Sequence, residues 1–94
     1  MREIKAVSPG ELLKNEFLKP CAITQYRLAK EIGVSQLRIS EIVNGKRAVT
    51  ADTDLRLARF FGLSDGYWLR AQVAYDTEVA REKMRDVLAR ACSH

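Results

Sequence analysis

Residues 25–45, QYRLAKEIGVSQLRISEIVNG, read as two short helices joined by a tight turn at Gly33. Leu28, Ala29 and Ile32 recur on one helical face, and Val34, Ile39 and Ile42 supply the apolar positions that oppose them. Ala29 stands where two helices cross closely, so a side chain no larger than methyl is expected there. Gly33 stands where the chain reverses, and a left-handed backbone conformation costs glycine little. This is the layout of a helix-turn-helix, and it predicts insertion of the second helix into the major groove of DNA.

Charge around the window supports that expectation. Between residues 21 and 50, Arg27, Lys30, Arg38, Lys46 and Arg47 stand against Glu31 and Glu41, a net +3 out of +4 for the 94-residue chain. Residues 1–20 carry +1 and residues 51–94 balance. The excess falls where phosphate contact needs it.

Groove geometry then assigns roles. Residues at the start of the second helix face base edges. Gln36 has the two hydrogen-bonding groups that pair with adenine, and Arg38 forks onto guanine or clamps a phosphate. Leu37, a large apolar residue at an exposed position, suits a thymine methyl group. Glu41, one turn on, has two readings: acceptor from a cytosine amino group, or ion-pair partner of a nearby arginine. Gln25 at the start of the first helix, and Asn44, Lys46 and Arg47 after the second, are suited to phosphates, with Asn44 also a helix C-terminal residue.

Outward from the window the chain reads as helical throughout. Ser8-Pro9-Gly10-Glu11 is a helix start with a capping box, and that helix is expected to stop before Pro20. Thr24 and Ser35 cap the two helices of the motif, and Asn44-Gly45 ends the second. Thr50 caps a fourth helix with Asp52 and Asp54 as helix-start carboxylates. Leu55, Leu57, Ala58, Phe60 and Phe61 form its apolar face, and Gly62 ends it. Ser64 or Asp65 opens a fifth helix running from about 65 to about 91.

That last helix carries Leu69, Val73, Ala80, Met84, Val87, Leu88 and Ala91 at three- and four-residue intervals, with charges of both signs between them. An apolar stripe that outruns a small core suits a second chain, so Leu69, Val73, Met84, Val87 and Leu88 are candidates for a homodimer contact. The other reading folds the helix back on its own core. Tyr67, Trp68 and Tyr75 fit core, dimer contact or partner contact.

Length and composition bound the rest. A 94-residue chain with 47% hydrophobic and 30% charged residues suits one folded domain, 1–94, with the helix-turn-helix at 24–45. No apolar run reaches the roughly 20 residues of a membrane span, and MREIKAVSPGELL lacks the apolar stretch of a signal peptide, so the cytoplasm is expected. Cys21 and Cys92 have no metal-ligand spacing and read as free thiols, and the single histidine is His94. No cofactor, metal or catalytic constellation is expected.

With these residues in view, the window resembles the Xre/Cro repressor type, in which a glutamine opens the first helix and NGKR closes the second. Together with SPGELLKNEFLKP, TADTDLRLARFFG and YWLRAQVAYD, the chain resembles the HigA antitoxin family, also called the virulence-associated VapI type, over roughly residues 7–80. The resemblance implies an all-α, five-helix, lambda-repressor-like domain with an extended C-terminal helix. It implies a homodimer that binds an inverted-repeat operator and represses its own operon, and a HigB-type ribonuclease toxin as second partner. By position it places DNA contacts on Gln25, Gln36, Leu37, Arg38, Lys46 and Arg47, and it assigns no toxin-contacting residues. Two other readings stay open: a solitary Xre-family repressor without a toxin, and an interaction module that does not bind DNA.

Overall fold

The first turn of the chain's first helix is built as its sequence prescribes. The Glu11 amide donates to Ser8 Oγ at 3.2 Å, and the Ser8 amide donates to Glu11 Oε1 at 3.3 Å, with Pro9 at the first helical position. The computed structural model describes residues 6–90, so Cys92, His94 and the terminal Ala91 of the apolar stripe lie outside the described residues.

This helix, α1 (9–21), does not stop before Pro20. It passes from α-helical geometry at Pro9–Leu12 into a π-helical stretch at Leu13–Leu18, then ends as α-helix at Lys19–Cys21. The Lys19 amide donates to the Lys14 carbonyl, five residues back. A proline inside an ordinary α-helix collides with the carbonyl four residues earlier, and it has no N–H to give. The wider π turn takes up that misfit, so the helix continues for two residues past the expected stop.

Among the described residues five further helices follow: α2 Gln25–Ile32, α3 Gln36–Val43, α4 Ala51–Phe61, α5 Tyr67–Lys83 and α6 Arg85–Arg90. Thr24, Ser35 and Thr50 each accept a backbone N–H three residues on, capping α2, α3 and α4 as expected. Gly33 has φ +77°, the left-handed conformation the turn between α2 and α3 requires.

One core joins α1 to α5. Leu13, Leu28, Ile39, Leu57, Ala58 and Trp68 are fully buried, and Leu18, Ala29, Ile32, Ile42, Val43 and Val49 nearly so. Phe17 packs between Phe61 and Trp68, with ring centroids 4.9 and 5.1 Å away. Trp68 is therefore core, whereas Tyr67 and Tyr75 are only half-buried. The start of α1 lies against the end of α3. A Cβ on Gly10 would overlap the Ile42 carbonyl oxygen and stand 2.7 Å from that of Val43.

The last helix departs from expectation at both ends. Neither Ser64 nor Asp65 caps it. Gly66 precedes α5 without a side-chain cap, and the cap comes from α4 instead. Asp54, 1% exposed, accepts from the amides of Gly66 and Trp68 at 2.7 Å and of Leu69 at 3.2 Å. Asp54 is thus a buried carboxylate serving a second helix, where its own helix start was expected to account for it. Asp65 turns outward to a bidentate pair with Arg59, at 3.0 and 3.1 Å.

At the far end, the helix is interrupted at Met84 (φ −103°, ψ 16°), which makes two helices where one was expected. Every residue from Ala80 to Arg90 is exposed, so no packing holds the helical ladder straight there. This segment projects from the body. The molecule measures 51 × 25 × 23 Å, with a radius of gyration of 15.6 Å against about 12 Å for a compact chain of this length.

Candidate nucleic-acid interface

Helix α3 is held by one face and presents the other. Ile39, Ile42 and Val43 enter the core, while Gln36 and Leu37 at its N-terminal end point to solvent, Leu37 at 65% exposure. The Arg38 amide is taken by the Ser35 cap at 3.0 Å, and its side chain is left half-exposed beside the same end. Gln36, Leu37 and Arg38 are therefore brought together at the helix start, where groove geometry needs them.

Glu41 lies one turn on and does not stand alone. Arg47 Nε donates to Glu41 Oε1 at 2.8 Å, so the loop after α3 folds back onto the helix through this pair. Arg38 is likewise near a carboxylate, its Nη1 lying 3.7 Å from Asp52 Oδ2 on α4. Both arginines of this surface thus face acidic partners.

The loop at 44–50 presents Lys46 and Arg47 in exposed positions, while Val49 is buried beneath it. Asn44 is exposed and donates from Nδ2 to Ser40 Oγ at 3.4 Å. Gln25 sits half-buried at the start of α2. The loop has an anchor that the sequence reading missed: Gln72 of α5 accepts from the Val49 amide at 3.0 Å and donates to Asp76 at 2.9 Å. A glutamine on a charged helix face gives no sequence signal for such a role. The hydrogen bond from Arg56 Nε to Asp52 Oδ2, 3.0 Å, had a weak one, the four-residue spacing of the two on a helix.

The dimer candidates divide. Val73, Met84, Val87 and Leu88 are exposed at 62%, 43%, 49% and 46%, whereas Leu69 is half-buried at the start of α5. No helix among the described residues is long and apolar enough to cross a membrane.

Comparison with known proteins identifies the family of this fold. The helix-turn-helix family profile matches residues 15–68. Virulence-associated protein I of Dichelobacter nodosus is 45% identical over 85 residues, covering 90% of this chain and 79% of that protein. Antitoxin HigA-1 of Vibrio cholerae is 38% identical over 88 residues, covering 92% and 83%. The structure of Pseudomonas aeruginosa antitoxin HigA with the higBA promoter superposes with a TM-score of 0.86 at 29% identity, covering 95% of this chain and 97% of that one. The chain belongs to the helix-turn-helix family and is of the HigA antitoxin type.

Proposed function

We propose that this chain acts as a single unit that binds an inverted-repeat operator as a homodimer, represses its own operon and neutralises a HigB-type toxin. The observation that carries the DNA half is the clustering of Gln36, Leu37 and Arg38 on the exposed start of a helix whose other face is core. The similar Pseudomonas aeruginosa HigA, solved with the higBA promoter, supports DNA as the partner.

In this reading α3 enters the major groove. Gln36 pairs with adenine, Arg38 with guanine, and Leu37 covers a thymine methyl group. Gln25, Asn44, Lys46 and Arg47 hold phosphates. Arg47 leaves Glu41 for a phosphate, and Glu41 then accepts from a cytosine amino group. Leu69, Val73, Met84, Val87 and Leu88 join two copies so that two α3 helices meet half-sites about 34–36 Å apart. The toxin partner rests on kinship with named antitoxins. The chain works in the cytoplasm and is not an enzyme.

Binding to the chain's own promoter region across a salt series tests the proposal. Arg38→Ala is expected to remove sequence preference, and Lys46→Ala to weaken operator and random DNA alike while lowering the salt slope by about 1. Equal affinity for operator and random DNA in the unaltered protein would overturn it. Loss of growth inhibition when the chain is co-expressed with the product of the adjacent gene tests the toxin half.

A further inference from the structure

Two side chains of α4 link the turn of the helix-turn-helix to Arg38. Arg56 Nη1 donates to the Ile32 carbonyl at 2.6 Å and lies 3.5 Å from that of Gly33, meeting carbonyls that the end of α2 leaves without helical partners. Arg56 Nε donates to Asp52 Oδ2 at 3.0 Å. The same carboxylate oxygen lies 3.7 Å from Arg38 Nη1. A continuous path therefore runs from the backbone of the turn through Arg56 and Asp52 to the guanidinium at the start of α3.

The last step of this path is attraction without a hydrogen bond, since 3.7 Å exceeds hydrogen-bonding distance. That distance matters. Asp52 holds the charge of Arg38 near the helix start while leaving the guanidinium donors available to a base edge. An arginine on an open surface samples many rotamers and must give them up on binding. One already placed by a carboxylate gives up less, and it meets the fixed fork geometry of guanine more selectively.

We propose that Asp52, braced by Arg56 against the turn, is the positioning residue for Arg38 in sequence recognition. This rests on the reading of Arg38 as a base-contacting residue. Bulk affinity for DNA alone would disfavour a carboxylate here, because it repels phosphate. Its contribution is to discrimination: it raises the ratio of operator to random-DNA affinity while lowering the affinity for random DNA.

The test measures binding of Asp52→Asn, Asp52→Glu, Arg38→Ala and the double variant Asp52→Asn/Arg38→Ala to operator and to a shuffled duplex, with thermal midpoints alongside. Asp52→Asn is expected to lower the operator-to-shuffled ratio about 3- to 10-fold, part of the discrimination a bidentate arginine supplies. Its affinity for the shuffled duplex is expected to rise. Asp52→Glu, which keeps the charge within reach of both arginines, is expected to recover most of the ratio. In the Arg38→Ala background, Asp52→Asn is expected to change the ratio no further.

An unchanged ratio in Asp52→Asn, a parallel loss on both duplexes with a lowered midpoint, or an equal loss in the Arg38→Ala background would each overturn the proposal. So would an Asp52→Glu ratio no better than that of Asp52→Asn. If Arg38→Ala itself leaves the ratio unchanged, the base-contacting role fails and the positioning role falls with it. That outcome differs from one in which Arg38→Ala acts and Asp52→Asn does not.

Discussion

The helix-turn-helix body and the projecting C-terminal segment carry the same kind of apolar pattern with opposite outcomes. In the body, Leu28, Ala29 and Ile32 of α2 meet Ile39 and Ile42 of α3, and all five are buried to 8% exposure or less. In the projecting segment, Met84, Val87 and Leu88 repeat at the same intervals and stay between 43% and 49% exposed. Full burial of such a side chain stabilises by about 1.5–3 kcal/mol, and the second stripe forgoes nearly half of that within its own chain. Its helix rests on local ion pairs, Arg81 with Glu78 and Arg85 with Glu82, each worth a few tenths of a kcal/mol by the general rule, about 0.2–0.5 kcal/mol. Periodicity reports that a face exists. Only packing says what covers it.

That contrast has consequences for stability, and the body should be the sensitive part. Asp54→Ala removes the acceptor for three amides at the start of α5 and leaves those groups in a largely buried setting. A loss of about 3–5 kcal/mol is expected, from three amides that each cost about 1–3 kcal/mol where burial leaves them without an acceptor, and denaturant unfolding measures it directly. Gly10→Ala comes next. Its methyl group meets backbone oxygens of α3, which cannot swing aside as a side chain would, so about 1–3 kcal/mol is expected, with a fall in Tm of at least 4 °C.

The projecting segment should respond in the opposite sense. Met84→Asp changes an exposed residue and is expected to shift the unfolding free energy of dilute protein by less than about 0.5 kcal/mol. The same change is expected to abolish dimer formation in sedimentation experiments. A large stability loss without a change in association would place the stripe against its own core. The smallest effect belongs to Asp65. Hydrogen bonds from the Arg59 guanidinium hold the Asp65 carboxyl below the ordinary value of 3.8. A carboxyl lowered on folding adds stability above its unfolded pKa and loses it as pH falls through the folded one. The pair is exposed, so Asp65→Asn should flatten the stability curve only slightly below about pH 4, the range where free aspartate titrates.

Much of this molecule was legible from residue types at short range. Caps at Ser8, Thr24, Ser35 and Thr50, the turn at Gly33 and the buried positions of α2 and α3 all depend on neighbours within a few residues. The face formed by Gln36, Leu37 and Arg38 followed from the same local geometry. What escaped was long-range or a matter of competition. Pro20 read as a stop because an α-helix was assumed, and a π turn absorbed it. Ser64 and Asp65 read as caps because nothing nearby competed, yet the carboxylate that serves α5 arrives from twelve residues upstream. Gln72 under the loop, and Asp52 between two arginines, acquire their roles only once α4 and α5 are docked.

The Asp54 cap also bears on length measurement. It fastens the start of α5 to α4, and α4 in turn holds the α2–α3 turn through Arg56. In the proposed dimer, the part of the contact on α5, at Leu69 and Val73, is therefore attached to the DNA-reading helices by hydrogen-bonded joints, ahead of the break at Met84. A dimer joined at those two residues would act as a caliper of fixed opening. It would select operators by the interval between half-sites as well as by their bases, and inserting half a helical turn between the half-sites would defeat it even with every contacted base intact.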